Sequence, residues 1–202
     1  MALAIYAEDG SLWAISRNRV AHYTGDGARI FSRPLAAYAS NAGNGRKVAV
    51  NPLDGTAWVA LERRVLHLDP HGALLSIVPG EATDLEVGQD GKLWVLDEDR
   101  DELRRYSSAG ALLGTANLGG ASRRARHIAL DSLRGVVWLA ADGALVRRSI
   151  AQPSQVLLRL DVTHDVASIS VDPQTGELWV LGNGSLFAYE PDGEQTHARN
   201  LS

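Results

Sequence analysis

The chain has 202 residues, of which 45% are hydrophobic and 22% are charged, and its formal net charge is −4. This length and balance indicate a globular protein with a buried core, and they exclude a disordered or fibrous chain. The sequence contains no cysteine, which excludes disulfides, thiolate metal sites and cysteine nucleophiles. The mildly negative charge gives no general attraction to nucleic acid or to anionic membranes, so we expect neither as a partner.

The sequence gives few signals of location. No apolar run approaches the roughly 18 residues that a membrane-spanning helix needs, so we expect no membrane span. The first eight residues lack the basic and long apolar regions of a signal peptide. The location stays unknown from the sequence, and an exported or surface location fits if the chain is a processed form or a fragment.

Five tryptophans divide the chain into five similar units. Each has a glycine three residues before it, and successive tryptophans are 45, 36, 44 and 41 residues apart. A repeat of about 40 residues with one tryptophan per unit is typical of a β-propeller, with one four-stranded blade per repeat. We therefore predict an all-β fold: a single domain over residues 1–202, a five-bladed β-propeller with four antiparallel strands per blade. The repeats are approximately 3–37, 46–80, 83–120, 126–162 and 167–202.

The first two strands of each unit are the clearest. Apolar residues alternate with small or polar ones in the first strand of most units, which is the period of a β-strand. A tight turn ending in glycine follows, and then a strand that is apolar on both faces and carries the tryptophan, which we expect to pack between blades. The first strands are predicted at 3–7, 47–51, 84–88, 127–131 and 168–172, and the tryptophan strands at 12–15, 57–60, 93–96, 137–140 and 178–181.

The two outer strands are more polar and less regular. Weak patterning is expected there because the outermost strand of a blade is an edge strand. We predict no helix. The third strands are predicted at 20–23, 65–68, 103–106, 145–148 and 186–189, and the fourth at 28–31, 73–75, 111–113, 156–158 and 195–198.

The order of strands leaves the closure of the ring open. The first unit begins on its inner strand and the last ends on its outer strand, so no blade would be shared between the termini. Either the five units close by side-chain packing, in which case we expect a monomer, or the chain is part of a longer propeller.

The repeats resemble a known family. The segment from Asp84 to Leu113 resembles an NHL-type repeat, and residues 9–27 are similar to the repeats of bacterial sensor propellers and of virginiamycin-lyase-like proteins. The resemblance covers the whole chain and implies the propeller architecture. Such propellers include binding scaffolds, sensor domains, lactonase-type hydrolases and lyases, so the fold alone does not choose the function.

Propellers bind ligands on the face where inner strands begin, and few catalytic groups are expected there. The best candidates are His127 as a general base, with Asp84 or Glu86 to orient it. Two carboxylates on one blade are fewer oxygens than a hard divalent cation prefers. We therefore predict neither a metal nor a cofactor, and we keep a lactonase- or lyase-type enzyme as the alternative function.

The first two units supply a basic sector on the same face. Its side chains are predicted on exposed loops, where they would attract an acidic partner. An acidic stretch (Asp97–Glu102) and a further basic one (Arg123–Arg126) belong to other sectors of the same face. The predicted binding residues are Arg17, Arg19, Arg46, Lys47, Arg63 and Arg64.

The function favoured by these features is that of a non-catalytic binding propeller. Its partner would be another protein or a small ligand at this face. A fragment of a larger sensor or surface protein is a third possibility. His22 and His67, at equivalent third-strand positions, are interpreted as repeat structure rather than as metal ligands.

Overall fold

The computed structural model describes residues 1–163 and 165–201, and it confirms the predicted fold class. Twenty strands form five four-stranded antiparallel sheets, each in simple sequence order, and these are the blades of a five-bladed β-propeller. The first two blades are β1 (Ala2–Ile5), β2 (Leu12–Ile15), β3 (Arg19–Tyr23), β4 (Arg29–Pro34), β5 (Gly45–Val50), β6 (Ala57–Leu61), β7 (Arg64–Leu68) and β8 (Leu74–Pro79).

The remaining three blades follow the same order. Two 3₁₀ turns of three residues, Leu35–Ala37 and Gly120–Ser122, are the only helical elements among the described residues. The strands are β9 (Asp84–Val87), β10 (Leu93–Asp97), β11 (Glu102–Tyr106), β12 (Leu112–Asn117), β13 (His127–Asp131), β14 (Val136–Ala141), β15 (Ala144–Ser149), β16 (Val156–Asp161), β17 (Val166–Val171), β18 (Leu178–Gly182), β19 (Ser185–Tyr189) and β20 (Gln195–Asn200).

The chain divides into two compact units, which are described separately. The first contains residues 1–95 and 104–114, and the second contains residues 96–103 and 115–202. The organisation of the whole chain as one domain stays a prediction. Within the described residues, no helix is long and apolar enough to cross a membrane.

The turn between the first two strands of each blade explains the repeated glycine. That glycine has a positive φ in all five blades, between 66° and 81°, a conformation that other residues adopt only with strain. Aspartates cap the same turns with backbone hydrogen bonds: Asp54 accepts from the Thr56 N–H at 2.9 Å and Asp90 from the Lys92 N–H at 3.1 Å. Acidic residues in these turns therefore have a structural role.

Four of the five tryptophans lie in the core. Trp13, Trp58, Trp94 and Trp138 are at most 2% exposed. In the first unit Trp13 clusters with Val59 and Leu66 of the second blade, and in the second unit Trp138 clusters with residues of the fifth. The prediction that every tryptophan is a core residue is wrong for Trp179, which is only partly buried.

The third-strand column that contains both predicted structural histidines covers the tryptophans. His22 and His67 stack on Trp13 and Trp58, with ring centroids 4.4 Å and 3.9 Å apart. In the third blade the Arg105 guanidinium lies 5.2 Å from the Trp94 ring. His22 Nδ1 also lies 2.7 Å from the Pro70 carbonyl in the outer turn of the next blade.

The fourth blade repeats this arrangement in the second unit. Arg147 is the cross-strand neighbour of Trp138 and donates to the Pro191 carbonyl at 2.9 Å. In the first and fourth blades a residue of this column therefore bonds to the outer turn of the next blade. In the second blade the His67 ring instead bonds within its own blade, with Nε2 2.8 Å from Thr56 Oγ1. Only the last blade differs, with Ala188 opposite Trp179.

Candidate functional site

The candidate site begins with the loops that join second and third strands. In the first unit the Gly45 N–H, at the start of β5, donates to the Arg17 carbonyl in the β2–β3 loop at 2.9 Å. A Cβ at position 45 would collide with Ile15 and with the Ser16 carbonyl. Glycine at position 45 therefore allows the two segments to come into contact, and Arg46 is the next residue along the chain.

A second link connects the start of β5 to the β6–β7 loop. Both the backbone N–H and the side-chain amide of Asn44 donate to Glu62 Oε1, at 3.3 Å and 2.8 Å. Glu62 precedes Arg63, so the β2–β3 loop, the β6–β7 loop and the start of β5 form one continuous surface on the first unit. We call this surface the basic patch, made of Arg17, Arg19, Arg46, Lys47, Arg63 and Arg64.

The prediction that the binding residues lie on loops is wrong for four of the six, which lie at the starts of β3, β5 and β7: Arg19, Arg46, Lys47 and Arg64. The six residues also differ in how they are held. Arg17, Arg46 and Arg63 are exposed, and no ion pair of theirs occurs among the described residues. Arg19 donates to Ser32 Oγ and to the Ser32 carbonyl, at 3.1–3.2 Å. Lys47 lies 3.2 Å from Asp84 in a salt bridge. The patch therefore has three exposed guanidinium groups that form no ion pair within the described part of the chain.

The predicted catalytic residues are not assembled in either unit. Asp84 and Glu86 lie on β9 in the first unit, whereas His127 begins β13 in the second. Asp84 is 4% exposed, accepts from the Leu85 N–H at 2.9 Å and pairs with Lys47. These bonds give Asp84 a structural role at the start of its strand. The catalytic assignment of His127, Asp84 and Glu86 stays a prediction.

A charged pocket of about 360 Å³ lies in the second unit. Its loops are the β10–β11 loop and the segment before β13, which are equivalent to those of the basic patch. The pocket is lined by three acidic and three basic residues: Glu98, Asp99, Asp101, Arg123, Arg124 and Arg126.

Ion pairs hold the two sides of the charged pocket. Arg126 Nε donates to Glu98 Oε1 at 2.8 Å, and Arg123 Nε lies 3.8 Å from Asp101 Oδ2. The hydrogen bond to Glu98 holds the pKa of Arg126 above its ordinary value, and the negative charges of Asp142 and Asp165 add to this. The loops are therefore joined by side-chain ion pairs.

The backbone at the pocket is unusual. Asp101 and Arg124 both have positive φ, 52° and 58°, a region that is sparsely populated by residues other than glycine. They contact each other, because the Arg124 N–H donates to Asp101 Oδ1 at 2.8 Å. Such strained residues cluster at functional sites, where surrounding contacts hold them in place.

A buried arginine supports the segment before the pocket. Arg148 is 2% exposed; its Nε donates to Ser122 Oγ at 2.9 Å and its NH2 donates to the Leu118 carbonyl at 2.8 Å. Burial lowers the pKa of Arg148 from its usual value. Residues 118–122 are thus anchored to β15, and the pocket loop begins from a fixed point.

The sequence placed the acidic and basic stretches of this pocket on one face but did not pair them. Asp101 and Arg124 are 23 residues apart, and irregular loops carry no periodicity that would predict their contact. The positive φ of Arg124 also leaves no trace in the sequence, because arginine, unlike asparagine or aspartate, is not enriched in that region. Within the described ranges, no group of three or more histidine or acidic side chains is arranged to hold a metal ion.

Comparison with known proteins supports the fold. No protein-family model matches the chain, and no curated protein sequence matches it. Among solved structures, the chain is similar to a streptogramin B lyase at 16% identity and a TM-score of 0.76, covering 98% of this chain and 67% of that one. It is also similar to virginiamycin B lyase from Staphylococcus aureus, at 14% identity and a TM-score of 0.77, covering 98% and 69%. At these identities the similarity shows a propeller fold alone.

Proposed function

We propose that the protein is a binding propeller that docks an acidic protein partner through the basic patch. The observation that carries this proposal is the group of exposed guanidiniums of Arg17, Arg46 and Arg63, which lie on two loops and at the start of β5. Hydrogen bonds join these three segments into one surface. Acidic side chains of a partner would form charge-assisted hydrogen bonds with these guanidiniums.

Electrostatics also gives the docking a direction. The protein as a whole carries a net charge of −4, so a positive patch attracts an acidic partner to one place and repels it elsewhere. Such steering raises the association rate more than it raises the final affinity. It weakens as salt shortens the screening length from about 10 Å at 0.1 M to about 3 Å at 1 M.

The test uses poly-L-glutamate as the acidic probe. Replacing Arg17, Arg46 and Arg63 together by glutamine should weaken binding at 50 mM salt by at least about tenfold, since each charge-assisted contact contributes measurably. Arg29→Gln, an exposed arginine on β4, is the matched control and should bind as the parent does. Unchanged binding in the triple variant would overturn the proposal. Tighter binding to a single-stranded oligonucleotide than to poly-L-glutamate would contradict the choice of an acidic protein.

A lyase activity is the second candidate, favoured by the two solved structures, which are named as lyases. The candidate catalytic residues for this activity are His127, Asp84 and Glu86. We also propose that the repeats are of the NHL type. The experiment is to incubate the protein with virginiamycin B and follow the antibiotic by chromatography. If the protein converts the antibiotic and the His127→Ala variant does not, the result supports a lyase. If the antibiotic stays intact, the protein is not a lyase for virginiamycin B.

A further inference from the structure

We propose that the charged pocket binds a small zwitterion, a molecule with an ammonium group and a carboxylate group a few bonds apart. This site lies in the second unit and is independent of the basic patch. Its volume of about 360 Å³ falls within the range of small-molecule pockets, roughly 300–1,000 Å³. The ligand class follows from the arrangement of charge around that space.

The lining is balanced between acids and bases. A ligand with a single negative charge would meet three carboxylates, and a ligand with a single positive charge would meet three guanidiniums. A zwitterion places each of its charges against the opposite sign. It therefore gains charge-assisted hydrogen bonds at both ends without an unfavourable contact between like charges.

Two of the six side chains are available for such a ligand. Glu98 pairs with Arg126, and Asp101 contacts Arg123 and the Arg124 backbone. The Asp99 carboxylate and the Arg124 guanidinium are exposed, and neither has an ion pair within the described part of the chain. Asp99 would accept from the ligand ammonium, and Arg124 would donate to the ligand carboxylate.

The pocket is built before the ligand arrives. Asp101 fixes the Arg124 backbone at a positive φ, and Arg148 anchors the preceding segment through Ser122 and Leu118. A site held in this way loses less conformational entropy on binding. The strained backbone of Arg124 is thus explained as the means of directing its side chain toward the pocket.

The experiment compares three probes that differ by one charge. Glycylglycine is the zwitterion, N-acetylglycylglycine keeps only the carboxylate, and glycylglycine amide keeps only the ammonium. We expect glycylglycine to shift the amide NMR signals of residues 98–101 and 123–126 in a saturable way. Each singly charged probe should bind at least about tenfold more weakly, the value of one charge-assisted hydrogen bond. Equal binding of the acetylated probe would overturn the zwitterion class.

Variants test the two proposed contacts. Asp99→Asn and Arg124→Gln should each weaken glycylglycine binding at least about tenfold, while Glu194→Gln and Arg199→Gln, exposed residues of the same unit, should not. Arg124→Gly removes the guanidinium and suits the positive φ, so its loss of binding cannot come from added strain. Unchanged affinity in both Asp99→Asn and Arg124→Gly would overturn the proposal. The triple variant of the basic patch should bind glycylglycine normally, which separates this site from the proposed docking surface.

Discussion

The tryptophan of the second blade and that of the fifth stand at the same position of the repeat but have different surroundings. Trp58 is fully buried, and the parallel His67 ring lies 3.9 Å from it. Trp179 is partly buried and has Ala188 opposite it on the third strand. His197 on the fourth strand stacks with it more distantly, with ring centroids 6.5 Å apart.

This difference shows that the glycine–tryptophan motif alone does not determine how deeply the tryptophan side chain is buried. The glycine with positive φ and the tryptophan occur in both blades, and the first two strands pair as a hairpin in both. What varies is the side chain that covers the indole. Histidine or arginine in the third-strand column brings an aromatic or cationic contact, and alanine brings a methyl group.

The largest expected effect is on the free energy of unfolding when each tryptophan is truncated. Trp58→Ala should cost about 3–5 kcal/mol, the usual figure for deleting a fully buried large aromatic residue. Trp179→Ala should cost clearly less, about 1–2 kcal/mol, because its indole already contacts solvent. Denaturant melts followed by circular dichroism measure both. Equal losses would show that the fifth-blade indole is as well packed as the second.

The tryptophan column also shows how far the sequence predicts this fold. Every predicted strand is present, because the glycine–tryptophan spacing fixes one hairpin per blade and the remaining strands follow in order. Strand boundaries differ where irregular pairing extends a strand: β5 starts at Gly45 instead of Lys47, since Gly45 pairs with Leu61 of β6 across a register shift. The exposure of Trp179 depends on the third-strand residue that packs against its indole, and the glycine–tryptophan motif does not include that residue.

The candidate sites were less predictable for the same reason. The exposure of Arg17 and Arg63 follows from their loop positions, and the sequence predicts it. Arg46 is exposed although it lies on β5, where the register shifts between Gly45 and Lys47. Composition cannot show that Lys47 forms a salt bridge with Asp84, or that Arg126 forms one with Glu98. Those pairs join residues 37 and 28 positions apart, so they depend on the path of the chain in space.

A second prediction uses acid to weaken the second blade. Burial lowers the pKa of His67, although the negative charge of Asp54 opposes this, so the unfolded state binds a proton more readily than the folded state. The stability contributed by neutral His67 is therefore complete above the unfolded pKa of about 6.5 and is lost as pH falls below it, by at most about 1.4 kcal/mol per pH unit.

The measurement is the free energy of unfolding at pH 7.5 and at pH 5.5. His67→Gln should reduce the difference between the two values. His71→Gln, an exposed histidine in the same blade, is the control and should leave the difference as it is in the parent. A difference that persists in full without His67 would assign the pH dependence to other groups.

The smallest expected effect concerns the contact between His197 and Trp179 in the fifth blade. The His197 side chain is 72% exposed, and its Nδ1 lies 4.0 Å from Glu177 Oε1. Exposed ion pairs and loose ring contacts each contribute little, so His197→Ala should cost about 0.5 kcal/mol. Arg199→Ala, exposed on the same strand, controls for a general effect on β20. A loss above about 2 kcal/mol, in the range of buried side chains, would mean that His197 covers Trp179 as fully as His67 covers Trp58. The two blades would then differ only in the strand that provides the side chain packed on the indole, which is the third strand for Trp58 and the fourth for Trp179.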